Sequence, residues 1–134
     1  MPGDIFFDTN VLIYAIAEHD PRSARAEALL AKGGTISIQC LNEFASVARR
    51  KFGMQWSEIA EALDAILILC PSPISITLEI HRRAMEIAQN YRYGIYDAMM
   101  AAAALQAKCR TLYSEDLQDG QVIEEKLAIK NPFS

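Results

Sequence analysis

The sequence predicts a single α/β domain over residues 1–134, a three-layer α/β/α sandwich around a short, mostly parallel central sheet. Two observations carry this. Windows with helical periodicity alternate with short apolar runs of strand length, and no repeat or low-complexity linker divides the chain. The 134 residues also match the commonest size of one domain and suffice to bury a core without a disulfide or structural metal.

The elements follow in order. Ile5, Phe6 and Phe7 read as a buried strand, and a helix begins near Val11. In "EHDPRSARAEALLAKGG", Asp20 is placed to cap a helix, Pro21 to occupy its first position and Gly33-Gly34 to stop it. "TISIQ" reads as a second strand. In "CLNEFASVARRKFG", Leu41, Phe44, Ala45, Val47 and Ala48 recur with helical spacing up to Gly53. The next helix, "WSEIAEALDAILILC", is capped by Ser57 or a neighbour, turns Ile59, Leu63, Ile66, Leu67 and Cys70 inward, and runs into "CPSP". "ISI" is a short strand candidate, and "TLEIHRRAMEIAQNY" sets Ile80, Ala84, Ile87, Ala88 and Tyr91 on one stripe. Asp97 opens the alanine-rich helix "DAMMAAAALQAKC". "TLYS" and "LAIKN" are the last strands, separated by the polar loop "EDLQDGQVI".

Composition excludes several classes. Cys40, Cys70 and Cys109 are odd in number, widely spaced and set among apolar residues, which points to reduced thiols of a cytosolic protein and not to a zinc site. No secretion signal opens the chain, and its most apolar window, "IAEALDAILILC", is interrupted by Glu61 and Asp64, so a soluble protein is expected. A net charge of −4 gives no support to sequence-independent duplex binding. His19 and His81 read as structural or exposed. No G-x-S-x-G, G-x-G-x-x-G or phosphate-loop pattern is present.

The acids carry more. In a parallel sheet, ligands sit beyond the carboxyl ends of the strands. Asp8 ends the first strand, Asp97 opens a helix, Asp116 follows "TLYS", and Glu43 lies one turn into the helix after "TISIQ". On one pocket these four would raise one another's pKa values, and no lysine or histidine accompanies them locally. The natural compensator is a hard divalent cation, Mg²⁺ or Mn²⁺. Each acid has a plainer reading as well: Asp8 and Asp97 as helix caps, Glu43 as a solvated helix residue, Asp116 and Asp119 as turn residues. Thr9 and Asn10 then merely support a turn.

"FFDTNVLIYA", "NEF" at 42–44, "YDAMMAAAAL" at 96–105 and "TLYSEDLQDGQVI" at 111–123 together resemble PIN-domain ribonucleases, in particular the VapC toxin branch of type II toxin–antitoxin systems. The resemblance runs nearly the whole chain, to "AIKNPF". It implies catalytic roles for Asp8, Glu43, Asp97 and Asp116, with Asp8, Asp97 and Asp116 on the metal. Thr9, Asn10 and Asp119 become auxiliary. It further implies Mg²⁺- or Mn²⁺-dependent cleavage of RNA, homodimerisation, a cognate VapB-like antitoxin and a prokaryotic cytoplasmic setting. Arg22, Arg25, Arg49, Arg50, Arg82, Arg83 and Arg92, with Lys51, are candidates for RNA contact, each also readable as solvated helix surface. Two rivals are weighed: a PIN fold that binds RNA or a partner without cutting, and a haloacid-dehalogenase-like phosphatase with Asp8 as nucleophile. The second lacks its expected acid at position 10, which is Asn.

Overall fold

The structure, a computed structural model, describes residues 4–134. Strand β1 (Ile5–Phe7) leads into helix α1 (Thr9–Ile16), then α2 (Ser23–Ala31), α3 (Ile38–Phe52), α4 (Trp56–Leu69), α5 (Leu78–Tyr91) and α6 (Ile95–Gln106). Strands β2 (Thr111–Tyr113), β3 (Val122–Ile123) and β4 (Leu127–Lys130) close the chain. The sheet order is β1-β2-β4-β3. β1 pairs parallel to β2 with Phe6 opposite Leu112, β2 pairs parallel to β4, and only β3 runs antiparallel. Helices flank this sheet in two groups: α1 packs on α2 and α3, with α4 against α2 and α3, while α5 packs on α6. The α/β sandwich with a mostly parallel sheet is thus as the sequence predicts.

Strand β1 carries Phe6 and Phe7, both fully buried, the pattern of a strand covered on its two faces. Helix α6 is buried almost all round, from Ala98 through Met100 to Leu105. Its alanines let α5 approach closely, as the small side chains in the sequence suggest. Ile80, Ala84 and Ile87 of α5, and Phe44 and Ala48 of α3, are the buried stripes of those helices.

Several boundaries differ from the sequence reading. "TISIQ" forms no strand of its own. Thr35 bridges Phe6 and Ser37 bridges Ile74, both in parallel, and α3 starts at Ile38 because the Ser37 hydroxyl accepts the Cys40 N–H. "ISI" likewise contributes only the Ile74 bridge. The backbone bonds Ile38 N–H to Ile74 O and Ile74 N–H to Ile36 O extend the pairing beyond β1 without a regular ladder. Helix α2 starts at Ser23, later than expected, since Asp20 spends its carboxylate on the Arg22 N–H and guanidinium. The "polar loop" after β2 contains β3, whose Ile123 is fully buried. Helix α4 starts at Trp56, where Glu58 accepts the Gln55 N–H.

Gly34 makes the close approach of this connection to β1 possible. A Cβ there would lie 2.5 Å from Cε2 of Phe7 and 3.1 Å from the Ile5 carbonyl oxygen. Phe7 has no room to retreat, being fully buried directly before Asp8. Gly34→Ala is expected to destabilise the fold by about 2 kcal/mol, read as a lower urea midpoint at unchanged m-value. An unchanged midpoint would show that β1 yields freely.

Candidate metal centre

Three elements deliver the acids. Asp8 follows β1 and caps α1, its Oδ1 accepting the Thr9 N–H at 2.7 Å. Asp116 follows β2 by three residues. Asp97 sits in the first turn of α6, which Gly94 begins, so the helix opens earlier than expected and Asp97 is not its cap. Oxygens of Asp8, Asp97 and Asp116 come within 4.8 Å of one another. Two helix N-termini therefore meet the cluster, and their partial positive charge offsets a fraction of three carboxylates.

Glu43 joins from α3. Its Oε1 accepts the Thr9 hydroxyl at 3.4 Å and its Oε2 accepts the Gln39 amide at 3.0 Å. The Asn10 amide Nδ2 donates to Asp116 Oδ2 at 3.2 Å. Thr9 and Asn10 thus face the acids and do more than complete a turn. Asp119 stands apart, its Oδ1 accepting the Asn131 N–H at 2.8 Å.

Asp8, Thr9, Asn10, Glu43, Asp97 and Asp116 line one cleft of about 430 Å³, with Arg22 and Lys51 at its wall. Burial first of all pushes the Asp8 carboxyl up to about 7; the Ser114 and Thr9 hydrogen bonds resist, and Asp116 and Asp97 add to the rise. Glu43 and Asp97 also lie above the usual carboxylate range, chiefly through burial and then through neighbouring acids. Arg22 does little to relieve this. It bonds Asp20 at 2.9 Å and Glu115 at 3.2 Å, and stacks 3.8 Å from the Tyr14 ring centre. Among the other predicted bases, Arg25 donates to the Pro132 carbonyl, Arg49 to the Met54 carbonyl and Arg83 to Glu124. Arg50, Arg82 and Arg92 are exposed, and none of these six lines the cleft.

Ser114 is the residue that sequence reasoning passed over. It is fully buried, and its hydroxyl donates to Asp8 Oδ2 at 2.7 Å. The same oxygen accepts the N–H groups of Asp116 and Leu117, each at 3.2 Å. One side chain therefore fixes two of the three clustered acids. The available signal was its place two residues before Asp116 at a strand exit, a feature a search for nucleophilic serines ignores. Gln39 was legible too, standing four residues before Glu43 on one helix. Ser114→Ala is expected to weaken Mn²⁺ binding about tenfold or more, as loss of an outer partner does, measured by calorimetry. Unaltered affinity would reduce Ser114 to a packing role.

The donor set fits a hard divalent cation. Three carboxylates from separate segments present oxygens within 4.8 Å, and the buried Asn10 Oδ1 beside them has no hydrogen-bond partner among the described residues. The family model of the PIN domain matches residues 5–118. The chain belongs to the PIN domain family. Solved structures similar to this PIN domain include VapC20 of Mycobacterium tuberculosis, a sarcin-ricin-loop-cleaving toxin, with a TM-score of 0.65 and 21% identity over 84% of this chain and 89% of that one. A toxin–antitoxin complex from Klebsiella pneumoniae gives 0.70 and 20%, covering 96% and 98%. VapBC2 of Rickettsia felis, bound to a promoter DNA fragment, gives 0.66 and 22%, covering 95% and 97%. At these identities the likeness is one of fold. No curated protein matches the sequence. Family membership removes the dehalogenase-like alternative. No helix of the described residues is long and apolar enough to cross a membrane.

Proposed function

We propose that this PIN domain is a metal-dependent endoribonuclease and the toxin of a toxin–antitoxin pair. The observation that supports it best is the convergence of Asp8, Asp97 and Asp116 within 4.8 Å on a family fold of nucleases. In this reading the three aspartates hold Mg²⁺ or Mn²⁺. When bound, the cation neutralises charge on phosphoryl oxygens and acidifies water. Glu43 accepts the proton of the attacking water: it is half-buried, burial and then Asp97 and Asp116 raise its pKa, and Gln39 and Thr9 fix its two oxygens. Ser114 and Asn10 orient Asp8 and Asp116. Lys51 on the cleft wall attracts the substrate phosphate.

A VapB-like antitoxin is the proposed partner, supported by the similarity to two solved toxin–antitoxin assemblies. An Arg or Lys of the antitoxin placed by Asp8 and Asp97 would relieve the same excess of negative charge that calls for a cation. A homodimer through α3 and α4 is proposed too, because Phe52, Trp56, Ile68 and Leu69 lie exposed there. A prokaryotic cytoplasm suits both. The test is incubation of structured RNAs with the purified chain in EDTA, Mg²⁺, Mn²⁺ and Ca²⁺. Cleavage restored by Mg²⁺ or Mn²⁺ after EDTA is the expected result; RNA bound in Ca²⁺ yet uncut in every metal would make this a binding protein. Co-expression with the adjacent open reading frame tests the antitoxin, and sedimentation equilibrium tests the dimer.

A further inference from the structure

The cations that sequence reasoning assigned to the cleft are mostly elsewhere, and four of the chain's thirteen Lys and Arg residues gather at the opposite edge of the sheet. Asp8 and Asp116 follow the carboxyl ends of β1 and β2. Lys108 and Arg110 precede the amino end of β2, and Lys126 precedes that of β4. With Arg83 of α5 they line a cavity of about 650 Å³, completed by Leu105, Gln106 and Cys109. None of these lining residues is acidic.

The rim is anchored. The Arg110 N–H donates to the Asp4 carbonyl at 2.8 Å, the Arg110 carbonyl accepts the Ala128 N–H at 2.9 Å, and the Lys108 N–H donates to Leu105 O at 3.0 Å. The neighbouring acids are Asp4, whose charge acts on Cys109, Glu124, which pairs with Arg83 at 3.2 Å, and the exposed Glu125, which directly precedes Lys126. Lys108, Arg110 and Lys126 make no ion pair among the described residues. In a chain of net charge −4, three cations outside any ion pair on two adjoining connections, with Arg83 beside them, outnumber the three nearby acids and form a local well for anions.

We propose that this cavity is a phosphate-binding site that takes the backbone of an RNA chain, a contact remote from the acid cleft. Its lining offers charge and N–H donors without an aromatic platform, so it reads phosphates and not bases. Its volume exceeds one phosphate group, and its cations come from three separate segments, as a passing chain requires. Without a cation the cleft supplies little affinity of its own, because its acids repel RNA, Arg22 is held by Asp20 and Glu115, and Lys51 is left to offset four carboxylates. A distant anchor supplies what the cleft lacks. The choice of RNA rests on the nuclease reading; the phosphate site does not.

The test measures binding of an unstructured oligoribonucleotide in EDTA across a KCl series, for the wild type and the Lys108→Gln/Lys126→Gln double variant. Both lysines are exposed, so folding is unaffected. The expected result is an affinity loss of about tenfold and a salt slope shallower by about 1.4, roughly 0.7 for each lost phosphate contact. Lys32→Gln, at an exposed position after α2 that lines neither the cleft nor this cavity, should change neither. Unchanged affinity and slope in the double variant overturns the proposal. Inorganic tripolyphosphate is the second probe: if the variant loses tripolyphosphate binding but keeps its RNA affinity, the occupant is a free polyphosphate and the RNA assignment falls. Weakened RNA binding in the variant, with no metal-dependent cleavage by the wild type, supports the site while rejecting the nuclease reading.

Discussion

Asp97→Asn is expected to reduce Mn²⁺-dependent RNA cleavage by about a thousandfold or more, an increase of about 4 kcal/mol in the barrier, with no change in the circular dichroism spectrum. Asp97 is a half-buried first-turn residue of α6, and its carboxylate is one of the three within 4.8 Å. Asparagine preserves the shape and one neutral oxygen but removes the charge that the cation requires. Packing of α6 rests instead on Ala98, Met100 and the alanines that follow, which the substitution leaves alone. Asp8→Asn should match it in effect, keeping an oxygen for the Thr9 N–H. Glu43→Gln should lower the maximal rate while leaving Mn²⁺ affinity nearly intact, because its oxygens are held by Gln39 and Thr9, apart from the aspartate trio. Near-wild-type cleavage by Asp97→Asn that remains sensitive to EDTA would move the centre elsewhere.

The parts of this centre that were legible share one property: they are fixed by local sequence. An acid immediately after a buried strand, as at Asp8, or at the start of a small-residue helix, as at Asp97, is placed by elements a few residues long. The strands that failed were those needing distant partners. Thr35 and Ile74 are β-like in composition, yet each has only one bridging partner, because the Ser37 cap ends the first segment and α3 begins at once. Val122 and Ile123 were hidden for the opposite reason. Their neighbours are polar, and only pairing with Ala128 and Leu127 makes them a strand.

Side-chain networks were the least legible. Ser114 reaches Asp8 across 106 positions, and Arg22 reaches Glu115 across 93. Neither separation leaves a periodic trace. Arg22 shows the consequence: sequence spacing made it a candidate for RNA, whereas in the fold it ties the α1–α2 connection to the β2–β3 connection at the cleft wall.

In EDTA, the wild-type protein should lose about 3 kcal/mol of stability between pH 5 and pH 8, and Asp8→Asn should lose much less. An acid whose folded pKa is raised keeps its proton in the folded state after the unfolded chain has released it. Stability then falls as pH climbs from the unfolded value, near 3.8 for Asp8, to the folded value of about 7, and is level beyond. Glu43 and Asp97 shift in the same direction, so any contribution they make to the pH dependence carries the same sign. Asp20 shifts the other way through its bonds to Arg22, so its contribution disappears only as pH drops toward the acid end, outside this window. A domain stable by roughly 5–15 kcal/mol makes a change of this size easy to read from urea midpoints. Mn²⁺ should reverse the loss at pH 8 and act weakly at pH 5, because the cation competes with the proton that burial keeps on Asp8. Stability that rises with pH in EDTA, or Mn²⁺ stabilisation that is equal at both pH values, would mean that Asp8 is ionised in the folded protein without a cation.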